Sequence, residues 1–123
     1  MIRTWLAAAA IGGLVSVAAG AVAAHLAAGD AHAAELLRTG SLYGMVHATA
    51  LLAVAAIAAR KERPNLMLAI AGWGFVAGIF LFSFSLFALG STRSRWFALL
   101  TPFGGTALLI GWAALGLSAI RRR

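Results

Sequence analysis

The 123-residue sequence predicts an all-α integral membrane protein, a bundle of four transmembrane helices, and three observations carry that expectation. Hydrophobic residues make up 63% of the chain and charged residues 11%, against about 45–50% and about 25% in a typical soluble domain. A soluble globule of this size has too little interior to hide so much apolar surface. Second, no Asp, Glu, Lys or Arg falls within 4–29, 39–59, 64–92 or 96–120. Each gap holds the roughly 20 helical residues that cross a hydrocarbon core about 30 Å thick. Third, the basic residues mark the ends of the gaps. Arg3, Arg60, Lys61, Arg63, Arg121, Arg122 and Arg123 fall on one side of a four-span chain, and Arg38, Arg93 and Arg95 on the other.

The first span is expected at about residues 4–24. Arg3 and the "AVA" at 21–23 resemble a secretory signal, but the apolar run exceeds the 7–15 residues of such a signal and three spans follow, so the helix is expected to be retained. Gly29 and Asp30 end one helix and cap another. "AHAAELLR" at 31–38 reads as helix. Thr39 and Gly40 are then the favoured bend, with an unbroken helix over 31–60 as the alternative. The second span is about 41–59, closed by "RKERPN", where Pro64 cannot donate a backbone hydrogen bond and forces a turn. The third, about 66–90, ends at Gly90, and the fourth, about 96–120, follows the short "STRSR" bridge. Short connections make spans two and three, and three and four, antiparallel neighbours, and all four spans are read as one domain over 1–123. No span has the sustained period-two alternation of a barrel strand.

Seven basic residues against three are expected to place both termini on the cytoplasmic side of the membrane. The same placement accounts for the net charge of +7 without a nucleic-acid groove. With no cysteine, disulfides and thiolate metal sites are excluded. Lipid gives helices little hydrophobic drive to associate, so close backbone approach must supply it. Gly12, Ser16, Gly20 and Ala24 form a smooth four-residue repeat in the first span. Gly40 and Gly44 repeat that spacing in the second, Gly74 and Gly78 in the third, and Ala107 and Gly111 in the fourth. Trp5 and Trp96 open their spans, where a ring anchors at the headgroups, whereas the more central Trp112 needs a partner for its indole N–H.

His47, one turn after Tyr43, is the single ionisable group inside a span and hence the first functional candidate. A neutral His47 bonded to Tyr43, to a helix carbonyl or across an interface is the structural alternative. His25 and His47 return to the same side of the membrane, but no H-E-x-x-H or other ligand spacing accompanies them, so no metal and no cofactor is expected. Ser83 and Ser85 flank Phe84 and face different ways, without an acid–base partner or nucleophile elbow. Thr101, Pro102, Gly104 and Gly105 form a "TPFGG" turn in which Pro102 permits a deformed inner turn or, more sharply, a broken ion-binding helix. No Asp, Glu, Lys or Arg lies deep in a span, which argues against proton-coupled export. A passive pore lined by hydroxyls is compatible with the same composition.

"GAVAAH" at 20–25, "YGMVH" at 43–47, "FSFSLFAL" at 82–89, "TPFGG" at 101–105 and "GW" at 111–112, in that order, resemble the YgdD-like family of small bacterial inner-membrane proteins. The resemblance covers nearly the whole chain. It implies four transmembrane helices and no assigned activity, and it carries over His25, Tyr43, His47, Ser83, Ser85, Thr101, Pro102, Gly104 and Gly105 as family-pattern positions. This chain has Phe84 and Phe87 where many members have Gly and Tyr, which implies a smaller groove there. The function expected is non-enzymatic, structural or regulatory through helix–helix contacts. Its partners are membrane lipids and a second copy or other membrane helices, not nucleic acid. A small channel or transporter for an ion or small molecule is the alternative, with His47, Ser83, Ser85 and the "TPFGG" turn lining its path.

Overall fold

The computed structural model describes residues 1–26 and 28–120; Arg121, Arg122 and Arg123, counted above with the basic ends, lie outside the described residues. The helices are α1 (Ile2–Leu26), α2 (Ala31–Ala59), α3 (Leu66–Gly78), α4 (Phe84–Thr92) and α5 (Trp96–Ile120), with a π-helical turn, Ile79–Ser83, joining α3 to α4. That turn makes α3 and α4 one rod. Four rods result, Ile2–Leu26, Ala31–Ala59, Leu66–Thr92 and Trp96–Ile120, each long and apolar enough to cross a membrane. The all-α four-span architecture read from the charge gaps is the one observed.

Short polar side chains start α2 and α3. Asp30 accepts the Ala33 N–H at 3.1 Å and Asn65 accepts the Leu68 N–H at 2.8 Å, each satisfying a donor that the helix itself leaves open. Helix α4 ends on Arg93 in the left-handed region, φ 58°, which costs about 1 kcal/mol for a residue with a Cβ. The Arg93 guanidinium pairs with Asp30, so the α1–α2 and α4–α5 turns are tied together at one end of the bundle.

Of the two alternatives for residues 31–60, the structure takes the unbroken helix. Gly40 is a point of close approach instead of a bend: a Cβ there would lie 2.6 Å from Cε1 of Phe87 and 3.1 Å from the Ser83 carbonyl oxygen. Helix α1 packs along α2, α2 along the α3–α4 rod, and that rod along α5. The small-residue face of α1 makes these contacts at Gly12, Ser16 and Gly20, but Ala24 is exposed and Ala23 takes its place. At about 100° per residue, a four-residue repeat has rotated about 120° from Gly12 by Ala24, while Ala23 is back within about 20°. Trp5 also departs from expectation. It is fully buried, edge-on to Trp73 at 6.3 Å and against Gly72, so it fills the core and does not anchor at headgroups. Trp96 is 75% exposed, as an anchor would be.

Helix α5 runs unbroken through Pro102. The irregular backbone belongs to its neighbour: the π turn packs its Leu81–Phe82 backbone onto Gly104, where a Cβ would lie 2.3 Å from the Phe82 nitrogen. Gly74 and Gly111 make a second such backbone contact, 3.0 Å from a Gly74 Cβ to the Gly111 Cα.

Two outcomes follow from these contacts. Gly104→Ala forces backbone against backbone and is expected to cost about 1–3 kcal/mol in detergent unfolding followed by circular dichroism, while Gly116→Ala, which meets open space, leaves stability unchanged or slightly higher. Asp30 titrates below its ordinary value of 3.8, held there first by the Ala33 N–H and then by Arg93. A lowered folded value means a contribution present above the unfolded value and lost as pH falls through the folded one. Asp30→Asn keeps the cap and removes that term, so its melting temperature is expected to fall less steeply than wild type from about pH 5 to about pH 2; equal slopes would discount the pair.

Candidate functional site

Tyr43 and His47 stand one turn apart on α2, and the unbroken helix sets them deeper than a bend at Gly40 would. His47 is about 25 Å along the axis from Asp30 and about 18 Å from Ala59, near the middle of the rod. His47 is 5% exposed. Nδ1 lies 2.6 Å from the Tyr43 carbonyl oxygen, and Nε2 lies 3.0 Å from Nε1 of Trp112 on α5. A carbonyl only accepts and an indole N–H only donates. The ring is therefore neutral with its proton on Nδ1, and both nitrogens are used. The Tyr43 contact is to its backbone, and the Tyr43 ring stacks on the imidazole at 6.0 Å and 13°. Phe75 closes the other side, 5.7 Å from His47 and edge-on to Trp112 at 5.1 Å.

The His47–Trp112 bond links α2 to α5. Between them runs an open groove of about 450 Å³, lined by Tyr43, Val46, His47, Phe82, Leu108, Leu109, Trp112 and Gly105. Gly105 is not needed for close packing, since a Cβ there would stand 3.7 Å from the Phe82 ring.

The remaining candidates form two further clusters. Around Gly44, Ser41 Oγ donates to the Ser16 carbonyl at 2.6 Å. A Cβ on Gly44 would fall 2.0 Å from Ser16 Oγ and 3.2 Å from Ser83 Oγ. The hydroxyls of Ser16 and Ser83 are buried without a hydrogen-bond partner among the described residues. Ser85 faces the opposite way. Its Oγ donates to the Phe82 carbonyl at 2.8 Å and sits 2.8 Å from Thr101 Oγ1, which is then the donor of that second bond. Gly78 lies under Leu108 and Gly12 beside Ile79.

His25 does not join His47. It is exposed in the last turn of α1. Gly20 faces Ser41, so His25 lies five residues beyond that level and His47 six residues on its other side, about 16 Å apart along the axis. Among the described residues no three His, Cys, Asp or Glu side chains are grouped to hold a metal ion. Trp112 is the site residue that the candidate list lacked. Its signal was present: a central indole needing an acceptor and a lone in-span imidazole able to be one.

A double-mutant cycle on His47 and Trp112 checks the closure. Trp112→Phe leaves a buried acceptor unpaired and is expected to cost about 1–3 kcal/mol. His47→Leu combined with Trp112→Phe is expected to cost less than the sum, with a coupling of about 1 kcal/mol in detergent unfolding.

A family model described as a protein of unknown function (DUF423) matches residues 19–105. A UPF0382 membrane protein of Haemophilus influenzae is 37% identical over 125 aligned positions, which cover 100% of this chain and 98% of that one. The UPF0382 inner membrane protein YgdD of Escherichia coli K12 is 36% identical, covering 97% of this chain and 91% of its own. The UPF0382 membrane protein YwdK of Bacillus subtilis is 36% identical, covering 91% and 92%. No solved structure matches the chain.

Proposed function

The chain belongs to the DUF423 family of small bacterial membrane proteins, and from that premise we propose that it is a non-enzymatic, multi-pass inner-membrane protein whose role is structural or regulatory, exercised through helix–helix contacts. The observation that carries this reading is the closure of His47, with both ring nitrogens committed inside the bundle. A group that carries protons or binds a passing ion needs a free valence or a wet face. Other polar side chains in the spans are spent the same way: Ser41 on Ser16, Ser85 on Phe82 and Thr101, Thr49 on Met45, Ser118 on Leu115. Residues 1–123 act as one domain with both termini cytoplasmic. The lateral surface meets lipid and a second copy or other membrane helices, and nucleic acid has no part. Tyr43, His47, Ser83, Ser85 and Thr101 serve as the internal polar groups, with Gly12, Ser16, Gly20, Gly44, Gly74, Gly78 and Gly104 as the packing positions.

One observation favours a channel as the second reading. The unpartnered hydroxyls of Ser16 and Ser83 meet across Gly44 in the bundle interior, and hydroxyls of that kind line passive pores. Liposome flux and size-exclusion profiles of His47→Leu separate the two. The packing reading expects no proton or small-ion flux above protein-free liposomes, and lower expression with an altered profile for the variant. Wild-type flux that His47→Leu abolishes while assembly is intact would establish the channel. Absent flux together with unchanged assembly rejects both roles for His47.

A further inference from the structure

At the end of the bundle, where the Asp30 and Arg93–Arg95 turns meet, lies a cavity of about 290 Å³. Its rim carries Asp30, His32, Arg93 and Arg95, and Leu36 and Leu89 line it toward the spans. Asp30 is already engaged twice, by the Ala33 N–H and by Arg93. Among the described residues Arg95 forms no ion pair, so the rim keeps an uncompensated guanidinium. The cavity is built, not fortuitous. Arg93 is held in its left-handed conformation beside Asp30. Beneath it α2 and α4 are pinned, with a Cβ on Gly90 only 3.3 Å from the Ala33 carbonyl oxygen. Trp96, next to Arg95, is exposed as a ring at headgroup level would be.

A cationic rim over an apolar floor, at the end of the spans, is complementary to an amphiphile whose charge is negative. We propose that this cavity binds the phosphate of an anionic membrane phospholipid, with Arg95 and Arg93 on the phosphate oxygens and the lipid's apolar part against Leu36 and Leu89. Guanidinium groups suit phosphate because their paired N–H donors match two of its oxygens at once. The leucine floor favours a lipid over free phosphate, which has nothing to place there. Asp30 acts as a counter-charge that orients Arg93 and moderates affinity.

The test is lipid retention. The purified full chain is reconstituted with an equimolar mixture of phosphatidylglycerol and phosphatidylcholine, extracted, and its bound lipids are counted by native mass spectrometry. Phosphatidylglycerol is expected to be retained in excess. Arg95→Gln is expected to lower that excess about fivefold, the effect of one interfacial basic residue. Arg38→Gln, on the same face but paired with Glu35 outside the cavity, leaves it unchanged. Asp30→Asn keeps the cap, releases Arg93 and raises the excess, a gain that a folding defect cannot produce. Equal losses for Arg95→Gln and Arg38→Gln, or no gain in Asp30→Asn, would overturn the site. Displacement of the lipid by millimolar inorganic phosphate would overturn the choice of a lipid ligand.

Discussion

Close backbone approach at Gly44 is the constraint on which the rest of the bundle depends. Three rods meet there: α2 supplies the glycine, α1 supplies Ser16 and the π turn supplies Ser83. In water the burial of apolar side chains would drive such an assembly, but in lipid the tails are as apolar as leucine, and dispersion contacts and interhelical hydrogen bonds must do it. A side chain at residue 44 would push the rods apart along their whole length, because Gly20 against Ser41 and Gly12 against Ile79 lie on the same α1 face. The 2.6 Å bond from Ser41 to the Ser16 carbonyl exists only at that separation.

Once the rods are this close, the polar groups within them take partners in the protein, the hydroxyls of Ser16 and Ser83 and the Trp5 indole N–H excepted. An unpaired polar group in hydrocarbon is costly, and the neutral His47 ring avoids that cost by taking a helix carbonyl on one side and an indole N–H on the other. The same economy appears in Ser85, whose hydroxyl covers the Phe82 carbonyl just after the π turn while receiving Thr101. Charged chemistry is left to the ends. There Asp30 and Arg93 join two turns that are far apart in sequence, and the cavity beside them sets guanidinium groups over an apolar floor.

The sequence disclosed what depends on charge and hydropathy, and withheld what depends on register. Four spans, their turns and the Asp30 cap were legible because a charge gap or a capping side chain marks each. The bend expected at Gly40 was a misreading of a glycine's purpose: Gly40 is small to admit Phe87, not to break the helix. Trp5 was read from its position near the chain start, whereas Gly72 on another rod decides its burial. Pro102 drew attention to the fourth span as the deformed one. Helix α5 nevertheless continues through Pro102, which in its second turn leaves the Ala98 carbonyl without an intrahelical N–H, and the distortion appears in the neighbour that packs on Gly104.

That distortion has its own logic in the spacing of the third span. Phe75, Ile79, Ser83 and Phe87 recur every four residues, and they meet His47, Gly12, Gly44 and Gly40 in turn, on the face toward α1 and α2. On a plain α-helix each four-residue step drifts about 40°, so the row would wind about 120° away from α2 between Phe75 and Phe87. A π turn takes more residues per revolution, with the Phe84 N–H reaching back to the Ile79 carbonyl, and so rotates the following residues back. Placed at Ile79–Ser83, in the middle of the row, it returns Ser83 to Gly44 and Phe87 to Gly40. The same rotation turns Ser85 toward Thr101, and the widened backbone fills the space that Gly104 leaves on α5. The irregular turn is thus what lets a single rod keep faith with helices on two sides, and its trace in the sequence is a four-residue repeat too long for an α-helix to hold to one face.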